Sequence, residues 1–160
     1  MGERTIGRRQ MLRGGGVAAG GVAVAGLGLS SPAMASDDQN GGLTGSWLVT
    51  RQDNGDPTKV QAVFSFAAGG VFVEHDIGPA GPPFTGTWAR RGDRGFRATI
   101  WSGFPGEGGP GSAGVTVRVR PVGRVDHGTL SGTYTVAVFD ASGAQIDSAT
   151  GTFSGHRIAA

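Results

Sequence analysis

Histidine is the side chain best suited to proton transfer near neutral pH, and it is also a frequent metal ligand. His75, His127 and His156 are far apart in the chain and belong to no H-x-H or H-E-x-x-H pattern. In His75-Asp76 and Asp126-His127 the two members are adjacent, and adjacent side chains on a strand point to opposite faces. The sequence therefore predicts no metal site.

Other patterns that could carry chemistry are also weak. The chain has no cysteine, which excludes thiolate metal ligands, disulfides and a cysteine nucleophile. Residues 106–111 match the G-x-G-x-x-G pattern, but no helix is predicted after them to hold a phosphate at its N-terminus. The G-x-S-x-G motif is absent, and the aspartates lack the spacing of a calcium-binding loop. We therefore predict no catalytic residue and no cofactor.

Aromatic side chains are the strongest candidates for a binding site. The predicted ligand contacts are Phe64, Phe66, Trp88, Phe96, Trp101 and Tyr134. Inward-facing aromatic rings could line an apolar pocket, or they could fill a small barrel solidly. Arg97 and Trp101 share one face of their predicted strand. If that face pointed inward, they could hold a carboxylate and its apolar tail, whereas a solvated Arg97 is the favoured interpretation.

The elements that position these residues are strands. From Leu43 onward apolar residues alternate with period two, and glycine, proline and aspartate interrupt the alternation at short intervals. The predicted strands are 44–51, 58–67, 71–76, 84–91, 94–104, 115–121, 129–139 and 145–157. Eight strands joined by short turns predict an all-β fold, a single antiparallel up-and-down barrel with room for side chains or one small ligand. A β-sandwich is the alternative.

One short pattern of a hydroxyl residue, glycine, a hydroxyl residue and an aromatic occurs four times. The copies are Thr44-Gly45-Ser46-Trp47, Thr85-Gly86-Thr87-Trp88, Ser131-Gly132-Thr133-Tyr134 and Thr150-Gly151-Thr152-Phe153. The glycine would let the strand bend, and the aromatic residue two positions later would cover the space that glycine leaves. The alternative is ordinary strand composition in a glycine-rich chain.

The first of these copies resembles the G-x-W signature of the calycins, the superfamily of lipocalins, fatty-acid-binding proteins and avidins. Arg157 resembles the arginine that packs across that tryptophan, which implies that Trp47 and Arg157 close one end of a barrel. The chain from Leu43 onward is also similar to small secreted actinobacterial barrels described as lipocalin-like. The second lipocalin motif and the biotin-binding residues of avidins have no counterpart here, so the resemblance leaves the ligand open.

Residues 1–35 resemble a twin-arginine signal peptide. Arg8 and Arg9 precede a weakly apolar, uncharged run at 14–29, and Ala33 and Ala35 occupy the two small positions of a cleavage site. The run is too short and too rich in glycine for a stable membrane anchor. We expect contact with the translocation machinery, cleavage after Ala35, a flexible leader at 36–42, a barrel domain at 43–160 and secretion to the extracellular space.

The charge balance depends on that segment. The whole chain has a formal net charge of +2 and a pI of about 9.9. Without the four arginines and one glutamate of 1–35, ten basic and eleven acidic side chains remain, a net charge of −1. The basic excess therefore predicts no nucleic-acid partner.

Together these features predict an exported, lipocalin-like barrel that binds a small, largely apolar ligand without chemistry. One alternative is an enzyme, a barrel isomerase or cyclase of the allene oxide cyclase type. It would need an inward carboxylate or histidine, for which Glu74, His75 and Arg97 are the candidates. Another alternative is an extracellular interaction or inhibitor module that uses the loops at 78–83 and 105–114.

Overall fold

A computed structural model describes residues 42–78, 81–106 and 113–159 of the chain. It contains eight strands: β1 (Gly45–Asp53), β2 (Lys59–Phe66), β3 (Val71–Ile77), β4 (Phe84–Arg91), β5 (Gly95–Phe104), β6 (Val115–Asp126), β7 (Thr129–Phe139) and β8 (Gln145–Arg157). The predicted signal peptide, with Arg8, Arg9, Ala33 and Ala35, lies outside the described residues, as does the leader up to residue 41.

Each strand pairs antiparallel with the next, and β1 pairs with β8, so the sheet closes into a barrel. Trp47 lies opposite Arg157 and Asp53 opposite Gly151 in the closing pair. The predicted all-β, eight-stranded, up-and-down barrel is confirmed, and the sandwich alternative is wrong. Closure leaves neither β1 nor β8 as an open edge at which another chain could add a strand.

The prediction for the sixth strand was too short. We expected it to end at Pro121, whereas β6 continues to Asp126. Proline has no amide hydrogen, yet Pro121 keeps its place opposite Tyr134 in the β6–β7 ladder. The β5–β6 ladder lacks pairs at this point, between Arg97–Val122 and Ile100–Val119, although the register is the same on both sides. Proline therefore disturbs one of the two ladders of β6 and does not end the strand.

The two ends of the barrel have different connections. Short turns at 67–70, 92–94 and 127–128 lie at the end where β1 begins and β8 finishes, which we call the closed end. Longer connections at 54–58, 78–83, 105–114 and 140–144 lie at the opposite end, which we call the mouth. Residues 79–80 and 107–112 of the mouth are outside the described residues.

Two copies of the repeated four-residue pattern complement each other across β7 and β8. Gly132 pairs with Phe153, and Tyr134 pairs with Gly151. A Cβ atom on Gly151 would lie 2.3 Å from the Tyr134 ring, and one on Gly132 would lie 2.6 Å from the Phe153 ring. Each aromatic ring thus covers the glycine of the neighbouring strand. That each ring also covers the glycine two residues before it stays a prediction.

Candidate ligand-binding site

The closed end is covered by an arginine that lies across a tryptophan. The guanidinium carbon of Arg157 lies 4.8 Å from the Trp47 ring centre, a cation–π contact. Arg157 also donates hydrogen bonds to the carbonyl oxygens of Thr44, at 2.7 Å, and Gly42. Gly45 has a φ of +121°, and a Cβ there would come within 2.7 Å of the Arg157 guanidinium. Glycine at this position therefore allows Arg157 to reach Trp47.

Inside the closed half, five phenylalanine rings pack against one another. We call them the phenylalanine cluster: Phe64, Phe66, Phe72, Phe96 and Phe153. The ring centres of neighbouring members are 4.6–6.5 Å apart, with edge-on or tilted contacts in most pairs. Such rings bury much of their surface and gain further from these geometries. The closed half is therefore a packed core.

The six predicted ligand contacts do not form one group. Phe64, Phe66 and Phe96 are buried in the phenylalanine cluster. Trp88 is partly buried against Phe66 and donates an indole hydrogen bond of 2.9 Å to the Ala67 carbonyl oxygen.

The other two predicted contacts lie elsewhere. Tyr134 is buried on the inner face of β7. Trp101 is 43% exposed on the outer wall, where Arg118 lies 5.4 Å from its ring centre, so it is not part of an interior site.

The mouth half of the interior contains a group of charged and polar side chains instead. We call it the Arg51 cluster: Arg51, Asp53, Glu74, Asp76 and Tyr134. The Arg51 guanidinium lies 2.8 Å from a Glu74 carboxylate oxygen and donates a hydrogen bond to Asp76. Its carbon lies 5.9 Å from the Tyr134 ring centre, and the Tyr134 hydroxyl donates to Asp53. Arg51 and Glu74 are fully buried.

Opposing effects act on the pKa of Arg51. Burial disfavours the charged form and would lower this pKa. The carboxylates of Glu74 and Asp76 favour the charged form, and together they raise the pKa above its ordinary value. Arg51 is therefore a permanent buried cation. Its Nε–H nevertheless has no hydrogen-bond partner among the described residues.

Sequence reasoning missed Arg51, although a signal for it was present. Period-two alternation places Arg51 on the same face of β1 as the buried Trp47 and Val49. The carboxylates of Glu74 and Asp76 come from β3, and β2 lies between β1 and β3. On β2, Ala62 pairs with Val49 of β1 and with Asp76 of β3. The small side chain of Ala62 leaves space for an arginine to reach across β2.

The three candidates for an enzyme site are not brought together. Glu74 points into the barrel, whereas His75 and Arg97 are exposed on the outer wall. The cation beside Glu74 is Arg51. A site formed by Glu74 or His75 next to Arg97, as the enzyme alternative required, is therefore not present.

Part of the mouth is covered by the β3–β4 connection. Ser102, on the inner face of β5, donates its hydroxyl toward the carbonyl oxygens of Pro82, at 3.3 Å, and Pro83, at 3.1 Å. Behind this contact the rings of Phe84 and Phe104 are 6.0 Å apart. Other inner side chains of the mouth half are aliphatic, among them Ile100, Val115, Val117, Val119, Val136, Val138 and Ala149.

Among the described residues, no three histidine, cysteine, aspartate or glutamate side chains are placed to hold a metal ion together. The same residues include no helix with the length and apolar character needed to cross a membrane.

Comparison with known proteins gives no family assignment. The chain matches no protein-family model, and no curated protein matches it.

Proposed function

We propose that the protein is exported and binds one small, largely apolar molecule inside the mouth half of the barrel, without transforming it. The observation that carries this proposal is the difference between the two halves of one closed barrel. Five phenylalanines fill the closed half, and Arg157 covers its end. The mouth half has fewer aromatic rings, among them Phe84 and Phe104, and combines valine, isoleucine and alanine side chains with the buried Arg51 cluster. Its connections are longer.

The Arg51 cluster supports a ligand with one polar end. A buried N–H without a partner costs about 1–3 kcal/mol, and the Arg51 Nε–H is in this position among the described residues. A ligand carbonyl, hydroxyl or carboxylate oxygen could accept a hydrogen bond there. The apolar body would then contact the inner valines of β6 and β7. This arrangement follows the usual composition of small-molecule sites, in which a few polar groups orient a ligand in an apolar pocket.

The resemblance to calycins supports the same assignment. The tryptophan of the G-x-W segment at 45–47 is covered by Arg157 at the closed end, the contact that the resemblance implies. The barrel is consistent with a calycin-like fold, and we propose membership of that superfamily. The twin-arginine motif at Arg8 and Arg9 supports transport of the folded domain across the membrane.

Ligand retention tests the binding proposal. Native mass spectrometry of the protein purified from its host should show a bound molecule in addition to the polypeptide. The emptied protein should bind the apolar dye N-phenyl-1-naphthylamine saturably. Ala149→Phe, on the inner face of β8, should abolish both signals by filling the mouth half. Ser148→Phe, at the adjacent outer position, is the matched control and should leave both unchanged. Equal retention by the two variants, or no retention by the wild type, would refute interior binding.

Export is tested separately. N-terminal sequencing of protein from the culture medium should begin at Ser36, because cleavage is predicted after Ala35. Replacement of Arg8 and Arg9 by lysine should retain the protein in the cell. A secreted chain that begins at Met1 would contradict the signal-peptide assignment.

A barrel isomerase or cyclase is the second candidate, and the buried carboxylate of Glu74 favours it. This candidate predicts that Glu74→Gln traps the substrate, whereas the wild type retains the product. Isomers have equal mass and different chromatographic retention. A carrier would instead release the same single compound from both proteins.

A further inference from the structure

The outer wall near the closed end has a shallow groove of about 550 Å³. Three arginines, Arg91, Arg94 and Arg124, contribute to its lining, together with the hydroxyl residues Ser131 and Thr133. Guanidinium groups and hydroxyls both donate hydrogen bonds, and a guanidinium can bind two oxygens of one anion. The groove is on the opposite side of the sheet from the barrel interior and near the opposite end from the proposed ligand site.

Strand register places Arg91 and Arg124 on either side of a glycine. Arg91 pairs with Gly95, Gly95 pairs with Arg124, and Arg124 pairs with Ser131, so the four residues form one row across β4 to β7. Side chains in such a row lie on the same face of a sheet. Gly95 places no side chain between the two flanking arginines, and a Cβ there would lie 2.4 Å from the Arg91 carbonyl oxygen, so glycine allows this close backbone approach.

Asp126 holds two of the arginines in place and leaves the groove positively charged. One of its carboxylate oxygens lies 3.1 Å from Arg94, and the other accepts a hydrogen bond of 2.5 Å from Arg124. This hydrogen bond from Arg124 lowers the pKa of Asp126. Three cations against one anion give a local charge of +2, although the residues after 35 have a net charge of −1.

We propose that this groove binds the phosphate group of a small phosphate ester. The paired guanidiniums match the tetrahedral oxyanion, and Ser131 and Thr133 supply further donors. The exposed Val122 and the half-buried glycine backbone of the groove offer a surface to the carbon skeleton of the ester. The volume is within the range of small-molecule sites and larger than a phosphate ion alone requires.

The test is calorimetric titration of the purified protein with three probes. The probes are inorganic phosphate, glucose 6-phosphate and phosphatidylcholine vesicles that contain phosphatidic acid. We expect saturable binding, tightest for glucose 6-phosphate because the groove also contacts its carbon skeleton. Tighter binding to the vesicles would identify the phosphate source as a lipid headgroup and would still support the site. Absence of saturable binding to all three probes would overturn the proposal.

Two variants that each remove one positive charge distinguish binding at this groove from general electrostatic attraction to the protein. Arg124→Gln should weaken glucose 6-phosphate binding about tenfold, as expected for loss of a charge-assisted hydrogen bond. Arg120→Gln, on the outer face of the same strand, is the matched control and should change Kd by less than about twofold. Asp126→Asn should tighten binding several-fold because the carboxylate no longer competes for Arg94 and Arg124. Equal weakening by Arg124→Gln and Arg120→Gln would overturn the proposal, provided that circular dichroism shows both to be folded.

Discussion

The closed half and the mouth half of the barrel use the same inward positions of the same strands for different purposes. On β3, Phe72 joins the phenylalanine cluster, and two residues later Glu74 joins the Arg51 cluster. On β1, Trp47 lies under Arg157 at the closed end, and Arg51 is buried near the mouth. Period two places these side chains on one face of each strand, which the closed barrel turns inward, and the position along the strand determines which half they build.

Under the proposed function, this difference divides stability and binding between the two halves. Burial of aromatic rings is favourable through the hydrophobic effect and gains further from edge-on and tilted ring contacts, so the closed half suits a core. A buried ion cluster gains little net free energy, because desolvation offsets the attraction between its charges. The retention of an arginine with carboxylates in the mouth half therefore favours a role in orienting a bound molecule over a role in stabilising the fold.

The largest loss of stability is expected in the closed half. Phe64→Ala should lower the free energy of unfolding by about 3–5 kcal/mol, because a fully buried ring is replaced by a cavity. Urea denaturation measures the loss. Val71→Ala, at a half-exposed position of the outer wall, is the control and should change stability by less than about 0.5 kcal/mol. Folded Phe64→Ala should still bind N-phenyl-1-naphthylamine, and loss of dye binding would contradict the division of the two halves.

In the mouth half, removal of the Arg51 charge alone should lower the free energy of unfolding more than removal of the Arg51 and Glu74 charges together. Arg51→Met should destabilise the protein by about 3 kcal/mol, because the carboxylate of Glu74 stays buried without its cation. Arg51→Met combined with Glu74→Gln should recover part of this loss. Chemical denaturation of both single variants and the double variant gives the coupling free energy. Additive effects would show that Arg51 and Glu74 do not depend on each other.

An intermediate loss of stability is expected at the middle of the β7–β8 pair, between the closed half and the mouth half. Gly151→Ala should cost about 1–3 kcal/mol, because its Cβ would collide with the Tyr134 ring and with the backbone carbonyl of Gln52. Gly103→Ala is the control, since nothing lies within 4 Å of a Cβ at that position. Displacement of Tyr134 should also disturb its hydrogen bond to Asp53 and weaken dye binding. A Gly151→Ala protein as stable as Gly103→Ala would refute the glycine–ring complementarity.

The sequence was sufficient for the architecture because the deciding signals are local. Alternation and turn residues predicted β4, β7 and β8 with the bounds that the structure has, and eight such strands with short connections favoured closure. The error at Pro121 also has a local cause. The amide hydrogen of a residue donates to one neighbouring strand only, so a proline removes a hydrogen bond from one ladder. The other ladder of β6, to β7, continues through Pro121.

The interior site was less predictable because it depends on register across strands. Alternation placed Phe72, Glu74 and Asp76 on one face of β3, opposite Val71 and its neighbours, without showing which face was inward. Arg51 contacts these carboxylates across β2 because of the β1–β2 and β2–β3 registers together. No local sequence pattern encodes these registers. The aromatic residues predicted as ligand contacts were selected by type, and type did not distinguish a packed core from a pocket.

The smallest effect is expected for two exposed aspartates, one at each end of the barrel, whose lowered pKa values affect stability in acid. The pKa of Asp126, at the closed end, is lowered mainly by its hydrogen bond from Arg124. The pKa of Asp140, at the mouth, is lowered mainly by its hydrogen bond from Ser142, 2.6 Å away in the β7–β8 turn. A lowered pKa means that each carboxylate contributes stability above the ordinary aspartate range, near pH 4, and loses it as pH falls through the lowered value.

Both groups are exposed, so salt should distinguish their causes. Nuclear magnetic resonance titration of the two carboxyl groups should give midpoints below the ordinary value for both at low ionic strength. One molar sodium chloride should move Asp126 toward the ordinary value, because the charges of Arg94 and Arg124 are screened, whereas Asp140 should move little, since its partners are neutral. Equal salt sensitivity would show that the field at Asp126 is not set by its arginines, and it would weaken the case for a charged groove beside it.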